Sequence, residues 1–566
     1  MYVSKIRIRE FKVFRRFELQ LGDGLNILAG DNDVGKSTLL EAIHLVLTAL
    51  YRGRSIAAEI SEELFNRECV QEFFKEVGEG GLPEPPRIVI EAVFDGPGTT
   101  AEYQGDFNLL HANESGLGLA IELNADEYAE DFWSYVRFSE ADELPVEYFK
   151  VTRYRFDRST VFQRKIPLRS SFIDSSGQQM RQGSRAYISR SAREVLPDEQ
   201  LIALAQSHRK ARRTFNADEN VVEANRLMGE KVKSLTQKSV SFAASKGTKD
   251  AWENSIEAHL DDIPLCNAGA GSQNIIAIEL ALRKVDSEKS NVILLEEPEG
   301  HLSHARLNML LADIEDKTGN NQILVSTHSS YVANKLMLNR LIWINEGETS
   351  ELKSLSDDTS RFFSKIAGYD TLRLLFSRGA ILVEGDSDEL VVQKAYMDKH
   401  DGRLPIQDGI EVVSVGTSFL RFFELAETMG KPVVAVTDND GDLESVERKY
   451  EGYRALGDKS IAPESAVAYP SDIAVSFPRH ILPKGDIDNY SYNTLEPELF
   501  DANNLEGVNQ ILGKSFKDRD EALRHMKNNK VECAMRFFEY RGQFVIPPYI
   551  EEALDFIEKV CGDTGQ

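Results

Sequence analysis

The sequence predicts an α/β protein with more than one parallel-sheet unit, and three observations lead there. An apolar strand-like run enters a glycine-rich phosphate-loop pattern near the start of the chain, and a helix-like run leaves it. Two later apolar runs, one ending in carboxylates and one in a histidine, continue that alternation. After residue 378 a second strand–helix series begins, again with carboxylates at its strand ends. At 566 residues the chain has room for about three or four domains.

Hydrophobic content of 42% and charged content of 28% describe a soluble globular chain with a sizeable core. No run approaches the roughly 18 apolar residues of a membrane span, so no membrane partner is expected. The first residues, Met1-Tyr2-Val3-Ser4-Lys5-Ile6-Arg7-Ile8, alternate like a strand and unlike a signal peptide. Cys69, Cys266, Cys533 and Cys561 form no C-x-x-C pair, which points to a reducing cytoplasm and away from a zinc site. A net charge of −26 argues against nonspecific coating of nucleic acid by the whole surface. Between Val151 and Arg213, however, fourteen Lys and Arg face five Asp and Glu. That segment is either a solvated face or a phosphate-contacting track.

Gly30-Asp31-Asn32-Asp33-Val34-Gly35-Lys36-Ser37-Thr38 reads G-x-x-x-x-G-K-S, with Leu25 to Ala29 before it and an amphipathic run from Leu39 to Leu50 after it. Backbone N–H groups can close around phosphate oxygens where Gly30 and Gly35 remove a Cβ. Lys36 can reach the outer phosphates and the Ser37 hydroxyl can ligate Mg²⁺. Gly30, Asn32, Gly35, Lys36, Ser37 and Thr38 are therefore candidate contacts for a nucleoside triphosphate, ATP.

Residues 51–150 are mixed, with strand-like runs at Arg87 to Phe94 and Gly116 to Leu123. No nucleotide-sensing glutamine loop stands out; Gln163 is its candidate. From Ser191 to Asp262 the pattern turns helical, with runs at Glu199 to Arg213, Val221 to Leu235 and Trp252 to Leu260. This block, 191–262, reads as an insertion that splits the first domain into 1–190 and 263–349.

After the block, Gly269-Ala270-Gly271-Ser272-Gln273 precedes a helix, Asn274 to Val285. A buried strand then ends in Glu296-Glu297-Pro298-Glu299, and another, Gln322 to Ser326, ends at Thr327-His328-Ser329. These elements have the order and spacing of an ABC-type ATPase head. The resemblance implies that Glu296 holds Mg²⁺ through water, Glu297 polarises the attacking water and His328 senses the γ-phosphate. Ser272, in a loop similar to a diverged signature loop, would contact the γ-phosphate bound to a second head. The departures, Glu296 for the usual Asp and the degenerate signature, bear on ATP turnover more than on ATP binding.

Residues 350–378 read as a linker with a helix. In 379–566, Ala380 to Val383 runs into Glu384-Gly385-Asp386-Ser387-Asp388, and Pro432 to Thr437 runs into Asp438-Asn439-Asp440. Between them lie a helix, Glu389 to Asp398, a strand, Ile410 to Val415, and a helix, Ser418 to Met429. Such alternation predicts a parallel sheet whose site lies at the carboxyl ends of its strands. Asp438 and Asp440, two apart in an extended segment, would point the same way. With Glu384 they offer hard oxygen ligands for Mg²⁺ or Mn²⁺.

The E-G-x-S-D and D-x-D elements look like a Toprim domain. An ABC head split by a helical insertion and followed by Toprim resembles the OLD (overcoming lysogenisation defect) family, which includes the nuclease subunit of the Gabija anti-phage system. The resemblance covers nearly the whole chain. It implies a metal-dependent DNA endonuclease coupled to nucleotide state, a homo-oligomer joined through the helical insertion, and for Gabija-like members a UvrD-like helicase partner. Glu384 and Asp388 match the first acids of the motif, Asp438 and Asp440 the D-x-D, and Glu496 the late acidic element, with Glu498 as its alternative. Lys530 matches the late lysine. The rival reading is a non-cutting, ATP-gated DNA clamp like RecF and SMC proteins, with the same acids merely structural.

Overall fold

The computed structural model describes residues 1–31, 33–97, 101–138, 143–161, 166–175, 198–232, 241–244, 259–282, 290–318, 321–336, 340–345, 348–351, 355–365, 373–457, 471–488 and 490–563. The chain divides into two compact units, Met1–Thr327 with Ile344–Glu348, and His328–Trp343 with Thr349–Gln566.

Among the described residues, two large sheets organise the first unit. One is antiparallel, in the order β2 (Phe14–Gln20), β1 (Tyr2–Phe11), β4 (Ile88–Asp95) and β5 (Glu114–Leu123), with β6 (Phe149–Arg155) also paired to β5. From Arg16 onward β2 alternates with period two, exposing Arg16, Glu18 and Gln20 and burying Phe17 and Leu19; Phe14, at its start, is also buried. The other sheet is parallel across β7 (Leu168–Asp174), β8 (Ser290–Glu296), β9 (Asn321–Thr327) and β3 (Leu25–Ala29), in that order. Of the strand Leu341–Asn345, Ile344 and Asn345 also belong to this unit. β3 and β9 are buried along their whole length, as expected for parallel strands covered on both faces.

Helix α1 (Lys36–Thr48) leaves the glycine loop, burying Leu39, Leu40, Ile43, Val46 and Leu47. The helical block contains α2 (Asp198–Ala217) and α3 (Glu219–Val232), both longer at their starts than the periodicity suggests. Residues 251–258 of the third expected helix lie outside the described residues, and His259–Leu260 is instead a short strand paired with Ile263–Pro264. Helix α4 spans Ala270–Leu282 and α5 spans His304–Lys317. The first turn of α4 thus lies within what the sequence presents as a loop. A serine three residues into a helix competes poorly with the backbone once flanking apolar residues such as Ala277 and Ile278 are buried.

The second unit is organised on a parallel sheet in the order β11 (Ile410–Ser414), β10 (Gly379–Val383), β12 (Val433–Val436), β13 (Ile473–Ser476) and a short strand at Arg454–Ala455. Helices α6 (Asp386–Lys399) and α7 (Phe419–Met429) follow its strands. Further along come α8 (Leu495–Leu512), α9 (Arg519–Asn528), α10 (Lys530–Glu539) and α11 (Pro548–Asp563), and α11 packs on β10, β12 and β13. Phe419, Phe422, Phe423, Phe477 and Phe537 are fully buried.

Within α8, Asn504 leaves the helical region at φ 56°, and its side-chain oxygen accepts from the amides of Glu506 and Gly507, starting the helix afresh. The stretch 350–378, read as a linker with a helix, carries that helix. Its helix, Asp357–Lys365, sets Phe362 and Phe363 against Phe422 of α7, with ring centroids 6.4 and 5.1 Å away.

Candidate functional site

In the first unit, β3 delivers the chain into the glycine loop. A Cβ on Gly30 would stand 2.3 Å from the Ile344 carbonyl oxygen. Gly35 has φ 101°, and a Cβ there would meet the Phe14 ring at 2.5 Å. Both positions therefore exclude any side chain. Lys36 is buried and its ammonium donates to the carbonyls of Gly30 at 2.9 Å and Asp31 at 2.6 Å. Burial lowers its pKa to about 8, against the pull of Asp31, Glu297 and Asp33. Thr38 is buried beside it, and Asn32 lies outside the described residues.

Ser37 and Glu296 are brought together by a side-chain hydrogen bond. Burial raises the Glu296 carboxyl to about 7; the Ser37 hydroxyl opposes that rise, while Asp174, Glu41 and Glu297 add to it. A hydroxyl and a carboxylate on adjoining elements are the donors Mg²⁺ takes beside a phosphate, so this pair fits that ion. Glu297 follows directly, with φ 45°, a left-handed conformation uncommon for a non-glycine residue. Its amide donates to the Ser326 carbonyl at 2.9 Å. Ser272 lies in the first turn of α4, where its hydroxyl accepts from the Arg306 guanidinium at 3.4 Å. His328 is the first residue past β9 and falls in the second unit.

Asp174 escaped the sequence reading. It ends β7 in register with Glu296 of β8, adding a carboxylate to the same sheet edge. Only the alignment of two strands far apart in sequence reveals it. Gln163 lies outside the described residues.

In the second unit, a carboxylate cluster forms at the carboxyl end of the sheet. Glu384 follows β10 and accepts from the Thr437 hydroxyl at 2.5 Å and from the Asp438 amide at 3.4 Å. Burial raises Asp388, in the first turn of α6, to about 7, and the Glu384 and Glu496 carboxylates push it the same way. Asp438 is held well above its ordinary range by burial, then by Asp388, Glu384, Glu496 and Asp440. Glu496, buried in the first turn of α8, stands 3.0 Å from the Lys530 ammonium at the start of α10. Burial works to lower the Lys530 pKa, yet Glu496, Asp438 and Asp388 outweigh it and hold that pKa up. Glu384, Asp388, Asp438, Glu496 and Lys530 are therefore electrostatic neighbours.

The expected extended D-x-D does not form. β12 ends at Val436, and the fully buried Asn439 side chain donates to the carbonyls of Pro478 at 2.9 Å and His480 at 2.7 Å. That anchor turns the chain, leaving Asp440 exposed at φ 48° rather than aligned with Asp438. Asp440 still acts on Asp438 by charge. Glu498 faces elsewhere: it lies 3.5 Å from His480 Nε2, and burial raises it to about 7. Buried carboxylates that raise one another's pKa are a donor set that a hard divalent cation relieves, so these residues fit such an ion. Among the described residues, no three such side chains already surround a common point.

Residues 375–440 match the family model described as overcoming lysogenization defect protein-like, TOPRIM domain, while 5–81 match an AAA domain and 121–333 an AAA ATPase domain. A DNA replication and repair protein RecF from Herpetosiphon aurantiacus is 33% identical over 88 residues, 16% of this chain and 20% of its own length. An ATP/GTP phosphatase from Helicobacter pylori is 22% identical over 348 residues, 58% of this chain and 85% of that protein. Among solved structures, the C-terminal region of the Burkholderia pseudomallei OLD protein aligns at 21% identity over 33% of this chain and 99% of that one, TM-score 0.24. The chain spans about a fifth of the length of the RecF relatives it matches, 20% and 21% for the two from Herpetosiphon and Roseiflexus.

Proposed function

We propose that this chain, which joins an AAA-type ATPase head to an OLD-like Toprim domain, is a nucleotide-regulated, divalent-metal-dependent DNA endonuclease that serves anti-phage defence in the cytoplasm. The observation that carries the reading is the gathering of Glu384, Asp388, Asp438 and Glu496 around Lys530. With Asp440 they would hold Mg²⁺ or Mn²⁺, which supplies an acidified water and counter-charge for the leaving 3′-oxygen. Lys530, steadied by Glu496, donates to the scissile phosphate where charge builds up. Thr437 orients Glu384, and Asn439 fixes the loop that carries Asp438.

In the ATPase head, Gly30, Gly35, Lys36, Ser37 and Thr38 cradle ATP, and Glu296 joins Ser37 at its Mg²⁺. Glu297 polarises the attacking water, and Ser272 and His328 report on the γ-phosphate, Ser272 to a second copy. The apolar side chains Ile202, Phe215, Val222 and Leu227, each exposed on α2 or α3, support a homodimer through this block. A UvrD-like helicase is the further partner of the Gabija-like version of this reading. Among the described residues no helix is long and apolar enough to cross a membrane.

The deciding experiment incubates the purified chain with supercoiled plasmid and Mg²⁺ or Mn²⁺, with and without ATP. Nicking that EDTA stops supports the nuclease. The RecF likeness favours a second reading, an ATP-gated DNA clamp. A wild-type protein that retains DNA with ATP but never cuts it establishes that alternative.

A further inference from the structure

We infer that Asn274 is a positioning residue for ATP turnover: from α4 it grips the loop that carries Glu297 and ties that loop to the helix bearing Ser272. This rests on the reading of Glu297 as the group that polarises the attacking water.

Asn274 is 1% exposed, and a buried amide is tolerated only when its polar atoms are satisfied. Its Nδ2 donates to the Pro298 carbonyl at 3.3 Å and the Gly300 carbonyl at 3.4 Å. Its Oδ1 accepts from the Ser175 hydroxyl at 2.8 Å. The Ser175 amide in turn donates to the Glu296 carbonyl at 3.1 Å. One side chain therefore joins α4, the end of β7 and the turn just past Glu296.

That turn needs such a grip. Glu297 and His301 both sit at positive φ, 45° and 62°. Such strained non-glycine conformations persist only where their surroundings over-determine them. Within the loop the Gly300 amide donates to the Glu297 carbonyl at 2.9 Å and the Leu302 amide to the Glu299 carbonyl at 3.2 Å. From outside, β9 holds the loop through the Ser326 carbonyl and the Thr327 hydroxyl, which donates to Glu299 at 2.5 Å, and α4 holds it from the other side. A Cβ on Gly271 would lie 2.4 Å from the His301 carbonyl oxygen, so the first turn of α4 abuts the far end of the loop. α4 touches the loop at two points, Gly271 and Asn274, and Ser272 lies between them. A displacement of Ser272 is transmitted to Glu297 through this double contact.

The bland alternative is that Asn274 merely satisfies a polar pocket and contributes only to folding. The test measures phosphate release, ATP affinity by calorimetry and thermal melting for the full chain, with Asn274→Ala and Ser175→Ala. Ser175→Ala leaves Asn274 in place but removes the hydroxyl that orients it. Asn274→Ala is expected to lower kcat by about 10- to 100-fold, the scale of a misplaced reacting group, with ATP affinity within about twofold. Ser175→Ala should act in the same direction and more weakly. A folded Asn274→Ala protein with unchanged kcat overturns the inference, as does parallel loss of kcat and affinity. If Asn274→Ala does not fold, Ser175→Ala decides by the same criteria. Wild-type phosphate release no faster than that of Glu297→Gln removes the reading of Glu297 and the inference with it. Turnover that Glu297→Gln abolishes but Asn274→Ala leaves intact removes the inference alone.

Discussion

The glycine loop draws its contacts from consecutive residues, Gly30 to Thr38, and much of its chemistry is backbone: two positions that exclude a Cβ, and a lysine held by carbonyls. The carboxylate cluster has the opposite construction. Its groups arrive from β10, α6, the loop after β12, α8 and α10, and nearly all its chemistry is side chain. The first kind of site takes its phosphate-facing groups from one contiguous stretch, with distant residues such as Phe14 and Ile344 only closing in around it. The second depends on several long-range packings agreeing, and like charges at its centre work against that agreement.

The sharpest way to use this contrast is to remove one group from each site and ask whether the other notices. Asp438→Ala deletes the carboxylate coupled to Asp388, Glu384, Glu496 and Asp440. On the nuclease reading, plasmid cleavage should fall by several orders of magnitude, because water keeps its bulk acidity and the leaving oxygen loses its counter-charge. ATP affinity by calorimetry should not change. Cleavage equal to wild type would break the assignment of the cluster.

Lys530→Ala comes next. Loss of one charge-stabilising donor should slow cleavage by about 10²- to 10³-fold, read as single-turnover nicking rates. An arginine at 530 that restores most of the rate would confirm that positive charge is what the position supplies; no rescue and no loss would make it a surface lysine.

Lys36→Ala should weaken ATP binding by about 10- to 150-fold, corresponding to roughly 1.5–3 kcal/mol for a charge-assisted contact. Metal-dependent nicking without ATP should persist. If nicking without nucleotide disappears as well, the two sites are coupled more tightly than their separate construction implies.

The smallest effect concerns the cations of α2, Arg209, Lys210 and Arg213 exposed and Arg212 half-buried. If about four phosphates are met there, log affinity for DNA falls with log salt at a slope near −3.6. Replacing Arg209, Lys210, Arg212 and Arg213 with Ala should flatten that slope, measured by fluorescence anisotropy. An unmoved slope identifies the segment as a solvated face.

The same contrast explains what could be read from the amino acids alone. The phosphate loop, its flanking strand and helix, and the acids at the ends of β8, β10 and β12 were legible because each is a short contiguous pattern with one local cause. Asp174 was not, because nothing near it announces that β7 will lie in register with β8. The bend at Asp440 was hidden for a similar reason: it is imposed by Asn439 bonding to carbonyls of residues 478 and 480. The segment 350–378 read as a linker with a helix; what packs that helix, Phe362 and Phe363 against Phe422, joins residues far apart in sequence. The role of Asn274 depends on three partners, none adjacent in sequence.

The break at Asn504 has a consequence for how freely the second unit can vary. In an unbroken helix every residue is fixed at about 100° from the last, so turning one end turns the other. Here Glu496 lies before the break, while Val508, Ile511 and Leu512, all buried, lie after it. The two halves keep separate rotational phases. Substitutions that roll the distal half against its neighbours can accumulate without swinging Glu496 away from Lys530, so the core can drift over generations while the charged end stays in step.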